Sequence, residues 1–225
     1  MRAGLFIVLF TMCDFLAAQE FQSSHNGIDM SLSGNYLIQA NKNASILGSP
    51  FLKDEFGPGS ILSNNQWFEN TILKFDIYNG YFVIKLSNGE FIIDPDKTDV
   101  DTIKYNGEIF VRLSKEVGNK AEITFVSLLA EQNGYSLCKQ YRNLLTEAIK
   151  EVGYQEAKPA EYKNMPPIYY VSKDPDTWEI RGINSISEIF DVATKTVKPY
   201  LKKNKYKITN EDDLIAVFNY FSQKN

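Results

Sequence analysis

Along Thr71 to Tyr78, apolar and polar residues alternate: Leu73, Phe75 and Ile77 fall on one side of an extended chain, Lys74 and Asp76 on the other. The same period of two runs through Tyr81 to Leu86, where Phe82, Ile84 and Leu86 oppose Tyr81, Val83 and Lys85. It resumes in Glu90 to Asp94, Asp101 to Tyr105, Glu108 to Leu113, Glu122 to Glu131 and Tyr135 to Arg142. In the Glu108 segment, Ile109, Val111 and Leu113 share a face. Between these runs stand Asn79-Gly80, Asn88-Gly89, Asn106-Gly107 and Asn133-Gly134. A two-residue hairpin needs positive φ at both central positions, which Gly accepts freely and Asn tolerates better than most residues. Each pair therefore predicts a tight turn, and the middle of the chain reads as an antiparallel meander. The pairs lie at multiples of nine residues, the length of a strand plus its turn, with no shared side-chain signature that would make a true repeat.

The segment after Gly134 also fits a helical stripe through Leu137, Tyr141, Leu144, Leu145 and Ala148. The turn pair and the alternation Leu137, Lys139, Tyr141 favour a strand. Upstream, residues 19–45 are a polar lead-in, Gly48-Ser49-Pro50 and Phe56-Gly57-Pro58-Gly59 mark turns, and Ser60-Ile61-Leu62 is a short strand before Asn64-Asn65. Downstream, Lys158-Pro159-Ala160 and Met165-Pro166-Pro167 mark residues 153–167 as a linker, and Ile168 to Ser172 and Thr177 to Arg181 form a further hairpin. The period then changes. Ile186, Ile189 and Phe190, then Val197, Tyr200 and Leu201, then Leu214, Val217, Phe218 and Phe221 follow helical spacing. Thr209-Asn210-Glu211-Asp212-Asp213 opens the last helix with a side-chain cap and acids at the positive end of the dipole. The expected fold class is α+β: a mostly antiparallel β-meander, curled towards a half-barrel, with short C-terminal helices. One domain is expected over residues 46–225, β-rich to residue 182 and helical from 183.

The first eighteen residues change the picture of where this domain works. Arg2 precedes the apolar run Leu5 to Phe10, and Leu16-Ala17-Ala18 offers a small-residue cleavage site before Gln19. The run is short for a spanning helix and Asp14 interrupts it, so residues 1–18 are read as a cleaved signal peptide. Removal takes Cys13 with it and leaves Cys138 without a disulfide partner, so the mature chain must hold together by its core. The full chain, at 225 residues, is long enough to bury a sizeable core. A net charge of -4 argues against a nucleic-acid partner, and no membrane-spanning segment is expected after signal removal.

Candidate chemistry is thin. His25, the only histidine, lies in the lead-in, which makes a Ser-His-Asp triad, a Cys-His dyad or a histidine zinc site improbable. Asp94, Asp96, Asp99 and Asp101 could attract calcium, but the spacing fails the EF-hand pattern and a solvated turn accounts for them better. Asp76, Glu90, Glu108 and Glu122 supply carboxylates in or beside strands without selecting a catalytic pair. Tyr78, Tyr81, Phe82, Tyr105 and Phe110 could form a stacking surface, although cross-strand support is the commoner role. The clearest charge feature is Lys195, Lys198, Lys202, Lys203, Lys205 and Lys207. Lys198, Tyr200, Lys202, Lys203 and Lys205 are the candidate binding residues, set against the plain alternative of a solvated helix face.

Gly48-Ser49-Pro50-Phe51-Leu52, Phe56 and Gly59, Leu73 to Tyr78, Val197 to Lys205, Asn210 to Ile215 and Asn219-Tyr220-Phe221 together give a resemblance over residues 48–221. The chain resembles uncharacterised exported proteins of Bacteroidetes-type Gram-negative bacteria. The resemblance implies a periplasmic, outer-membrane-associated or secreted location and a sheet-plus-helices layout, and carries no catalytic residues. The functional expectation is a non-catalytic exported protein that binds an envelope component or a small ligand and needs no cofactor. Behind it stand a periplasmic carrier of an apolar molecule such as a lipid, and a carboxylate-dependent hydrolase.

Overall fold

A computed structural model describes residues 46–118, 120–149 and 157–224; the expected signal peptide and lead-in lie outside them. The strands are β1 (Gly57–Ser63), β2 (Gln66–Asp76), β3 (Tyr81–Leu86), β4 (Gly89–Ile93), β5 (Val100–Tyr105), β6 (Glu108–Val117), β7 (Lys120–Gln132), β8 (Tyr135–Thr146), β9 (Glu161–Lys173) and β10 (Asp176–Glu179). Three helices follow: α1 (Ile183–Ile189), α2 (Thr194–Asn204) and α3 (Glu211–Ser222). All ten strands join one open sheet in the order β10-β9-β8-β7-β6-β5-β1-β2-β3-β4, every adjacent pair antiparallel. This is the expected α+β meander, and the segment after Gly134 is a strand.

Two of the four Asn-Gly pairs are the expected two-residue turns. Asn106 and Gly107 (φ 55° and 81°) join β5 to β6, and Asn133 and Gly134 (φ 52° and 77°) join β7 to β8. The other two differ. Between β2 and β3 the buried Asp76 carboxylate accepts from the Tyr78 and Asn79 amides and from the Asn79 side chain, holding a longer loop in which Gly80 alone has positive φ. Between β3 and β4 the turn residues are Ser87 and Asn88, and Gly89 already pairs with Leu86. Asn64-Asn65 makes an unforeseen two-residue turn, with φ 49° and 61°, that folds β1 onto β2. The linker expectation is overturned: residues 161–167 are the first half of β9. Pro166 and Pro167 fit because they occupy a bulge, where Gln140 pairs with Ile168 and Arg142 with Met165, so their missing N–H groups interrupt no ladder bond.

The sheet curls in opposite senses at its two ends. In the first curl Phe82 of β3 touches Phe110 of β6 and Phe125 of β7, strands well separated in the sheet order. Phe75, Phe82, Tyr105, Phe110 and Phe125 fill its interior with ring against ring, beside Ile61, Leu73, Ile84 and Ile103. In the second curl the opposite face turns inward, enclosing Leu113, Val126, Cys138 and Tyr170 with Val111, Leu128 and Ile168 around them. The helices cover the outside of this curl, packing Val197, Leu201, Leu214, Val217, Phe218 and Phe221 onto Tyr135, Leu137 and Val171. The segment Leu47 to Leu52 ties the two curls: Leu47 pairs with Glu161 of β9, and Phe51 pairs with Asp76 of β2.

Candidate functional site

The second curl stops short of closing, and a slot remains between β6 and β10. β5 covers β6 only as far as Val111, leaving the rest of that edge unpaired. Alternate residues of an antiparallel ladder direct both backbone polar groups away from their partner strand. Val117 and Lys120 flank the β6–β7 turn as a bonded pair, so Ser114 and Glu116 direct N–H and C=O away from β7. Lys173 and Asp176 flank the β9–β10 turn, so Thr177 and Glu179 point away from β9, in register with the bond from Ile180 N–H to Tyr169 C=O. The two free edges meet at one point, where Thr177 Oγ1 donates to the Ser114 carbonyl at 2.9 Å. Beyond it they splay around a cavity of about 740 Å³ lined by both edges and floored by Tyr170, a size typical of ligand sites.

Alternation along each strand brings a polar layer to this slot. Gln140 Oε1 accepts from Lys115 Nζ at 3.0 Å and from the Tyr170 hydroxyl at 3.2 Å. Lys115 also pairs with Glu122 at 3.4 Å and lies over the Tyr170 ring, so its ammonium is fixed from three sides. Across the slot Arg181 pairs with Glu179 at 2.9 Å. That bond holds the Glu179 carboxyl below the usual carboxylate range, against the opposing effect of burial, with Arg142 and Lys115 adding to it. Burial, followed by Glu179 and Glu122, pushes the Tyr170 phenol up. Glu116 and Asp176 line opposite walls and enter none of the ion pairs found among the described residues. The slot is a polar surface that carries side chains of both charges.

A second polar layer lies between the first curl and the helices. Tyr141 donates to Glu108 at 2.7 Å, while Lys139 lies over the Tyr141 ring and pairs with Glu211 at the start of α3. Tyr169 donates to the same Glu211 oxygen at 3.0 Å. This network fastens α3 to the sheet, and burial with the Glu108 bond pushes the Tyr141 phenol up.

The structure separates the five candidate residues of α2 and its C-terminal cap, Lys205. Lys198, Lys202, Lys203 and Lys205 are exposed and, among the described residues, form no ion pair. Tyr200 is not available beside them: its ring stacks on Tyr220 at 3.9 Å and meets Phe221 edge-on. Of the aromatic set, Phe82, Tyr105 and Phe110 are buried in the first curl, and Tyr78 stands edge-on to Tyr162. Asp94 spends its carboxylate on its own turn, accepting from the Asp96 amide and from Lys97. Cys138 is fully buried and its thiol is pushed up to about 12 by burial first and Glu131 second. No helix among the described residues is long and apolar enough to cross a membrane.

The slot residues escaped the sequence reading because apolar alternation alone ends β6 at Leu113. Ser114-Lys115-Glu116 breaks the pattern because this part of the strand lines a polar cavity. A hairpin arm that continues past its apolar run, facing an equally long partner in Ala121-Glu122-Ile123, was the available signal. Comparison with family models, with curated proteins and with solved structures finds no match.

Proposed function

We propose that this is a non-catalytic exported binding protein of the cell envelope or secreted space, and that the β6–β10 slot is its ligand site. The observation that carries the slot is a cavity of about 740 Å³ bounded by two unpaired strand edges and floored by the Lys115–Gln140–Tyr170 cluster. The non-catalytic part is supported by the direction of the perturbed groups. An acid–base catalyst works best with a pKa near the operating pH. Here Cys138 and the tyrosines Tyr81, Tyr169 and Tyr170 move up, away from neutrality, and Glu179 moves down. Export is supported by the Arg2, Leu5 to Phe10 and Leu16-Ala17-Ala18 pattern, and N-terminal sequencing of the mature protein should begin at Gln19.

Nuclear magnetic resonance titration with amino acids, short peptides and oligosaccharides tests the slot. Shifts confined to Lys115, Gln140, Tyr170, Thr177 and Arg181 support it; shifts only on other elements, or none at millimolar probe, remove it. A second surface is favoured by one observation, the unpaired lysines of α2 in a chain of net charge -4. Residues 193–210 hold six lysines and no acid, so a polyanion of the envelope would meet an uncompensated positive face. Retained binding to acidic polysaccharide and to anionic vesicles after Lys202→Glu and Lys203→Glu would remove that reading.

A further inference from the structure

We propose that the slot takes an extended peptide segment carrying basic side chains, which adds as a strand between β6 and β10. This rests on the slot being the binding site and names its ligand class. Ser114 and Glu116 on one wall, Thr177 and Glu179 on the other, direct backbone donors and acceptors into the same space. Unpaired strand edges are the template for strand addition, in which main-chain bonds supply affinity and alternate side chains supply selection. β6 and β10 run in the same direction, as alternate members of an antiparallel sheet. One incoming strand can therefore lie antiparallel to both and complete the second curl. The free edges match a segment of about four or five residues at roughly 3.3 Å each.

Two details select the occupant. Thr177 Oγ1 already donates to the Ser114 carbonyl, the acceptor that an incoming N–H would use, so a side chain fills the role of the missing strand at the narrow end. The charges are not neutral towards a ligand either. Lys115 is satisfied by Glu122 and Gln140 and Arg181 by Glu179, whereas Glu116 and Asp176 on the two walls are left without a cation among the described residues. A Lys or Arg on the entering strand supplies that cation.

The full-length protein is titrated with a capped hexapeptide alternating Lys and Val, with its Glu-for-Lys counterpart, and with a version methylated on alternate backbone nitrogens. The basic peptide is expected to bind with slowed hydrogen exchange at Glu116 and Glu179, beyond the point where Thr177 meets Ser114, and with amide shifts at Ser114 and Thr177 beside it. The acidic and the methylated peptides are each expected to bind at least about tenfold more weakly, the scale of one lost main-chain or charged contact. Glu116→Pro removes an N–H that faces the slot and no ladder bond, and should weaken the basic peptide by a similar factor. Thr177→Val frees the Ser114 carbonyl and should tighten it. Equal affinity for the methylated peptide, with shifts still in the slot, overturns strand pairing and leaves the slot as a ligand site. Shifts that move to α2 overturn both, as does an absence of binding by every peptide and every small probe. If Glu116→Pro fails to fold, the methylated peptide decides alone.

Discussion

Two polar residues buried in this sheet have opposite surroundings. Asp76 lies in the core with three donors of its own turn around its carboxylate, whereas Cys138 has apolar neighbours and stays a thiol. The difference has a measurable consequence in alkali. An unfolded thiol ionises near about 8.5, while the folded one holds its proton to about 12. The folded state therefore binds more protons in that window, and stability, fully present below about 8.5, falls as pH rises through it. The slope for one such group approaches about 1.4 kcal/mol per pH unit, and Tyr81 and Tyr169, each pushed up to about 12, add to it above about pH 10. Urea denaturation at about pH 7, 8.5 and 10 should show wild type losing about 1–2 kcal/mol over the last interval, and Cys138→Ala losing much less. Equal slopes would mean that the thiol is not held neutral. The burial of Cys138 was legible from its apolar neighbours. The burial of Asp76 was not, because alternation assigns a face and cannot report that a turn will fold back onto a carboxylate.

At the scale of elements, the Asn-Gly pairs divide by what surrounds them. Asn106 and Asn133 share the same left-handed geometry, yet their side chains do different work. Asn106 Oδ1 accepts from the exposed Lys53 at 2.6 Å, while Asn133 Nδ2 donates to the Ser222 carbonyl at the end of α3. Asn133 thus closes the β7–β8 hairpin and anchors the last helix in one residue. Alanine at either site meets the left-handed strain of about 1 kcal/mol. Asn133→Ala additionally leaves a half-buried carbonyl without its donor, so it should cost about 1 kcal/mol more than Asn106→Ala. Chemical denaturation of the two variants checks this, and equal losses would show that the anchor contributes nothing. The β7–β8 hairpin could be read in the sequence because its turn chemistry and its alternation agree. The first half of β9 could not, because Pro166 and Pro167 signal a break and only the bulge opposite Tyr141 accommodates them.

For the whole molecule, the decisive contacts are those that no local pattern encodes. Curling in two senses puts Phe82 against Phe125 in one half and Thr177 against Ser114 in the other, and both depend on how far strands extend beyond their neighbours. That is why the meander was legible while the slot between its strands was not. The two halves share β6 and β7, and Leu47 to Leu52 adds a strap between β9 and β2, reinforced where Asn143 Nδ2 donates to the Ser49 carbonyl. The strap depends on Gly48. Its φ is +73°, and a Cβ there would lie 2.5 Å from the Tyr162 carbonyl oxygen, on the backbone of β9 where nothing can swing aside. Gly48→Val should detach the strap from β9. Trp67 on β2 and Trp178 on β10 lie in different halves and report on each separately. With the strap intact, single-tryptophan variants Trp67→Phe and Trp178→Phe should unfold at one urea midpoint, as a cooperative unit does. With Gly48→Val added, the midpoints should separate, and the half whose strand pairing lost the strap should unfold first. Coincident midpoints in the Gly48→Val background would show that the shared strands β6 and β7 couple the halves without help, and that the strap is dispensable.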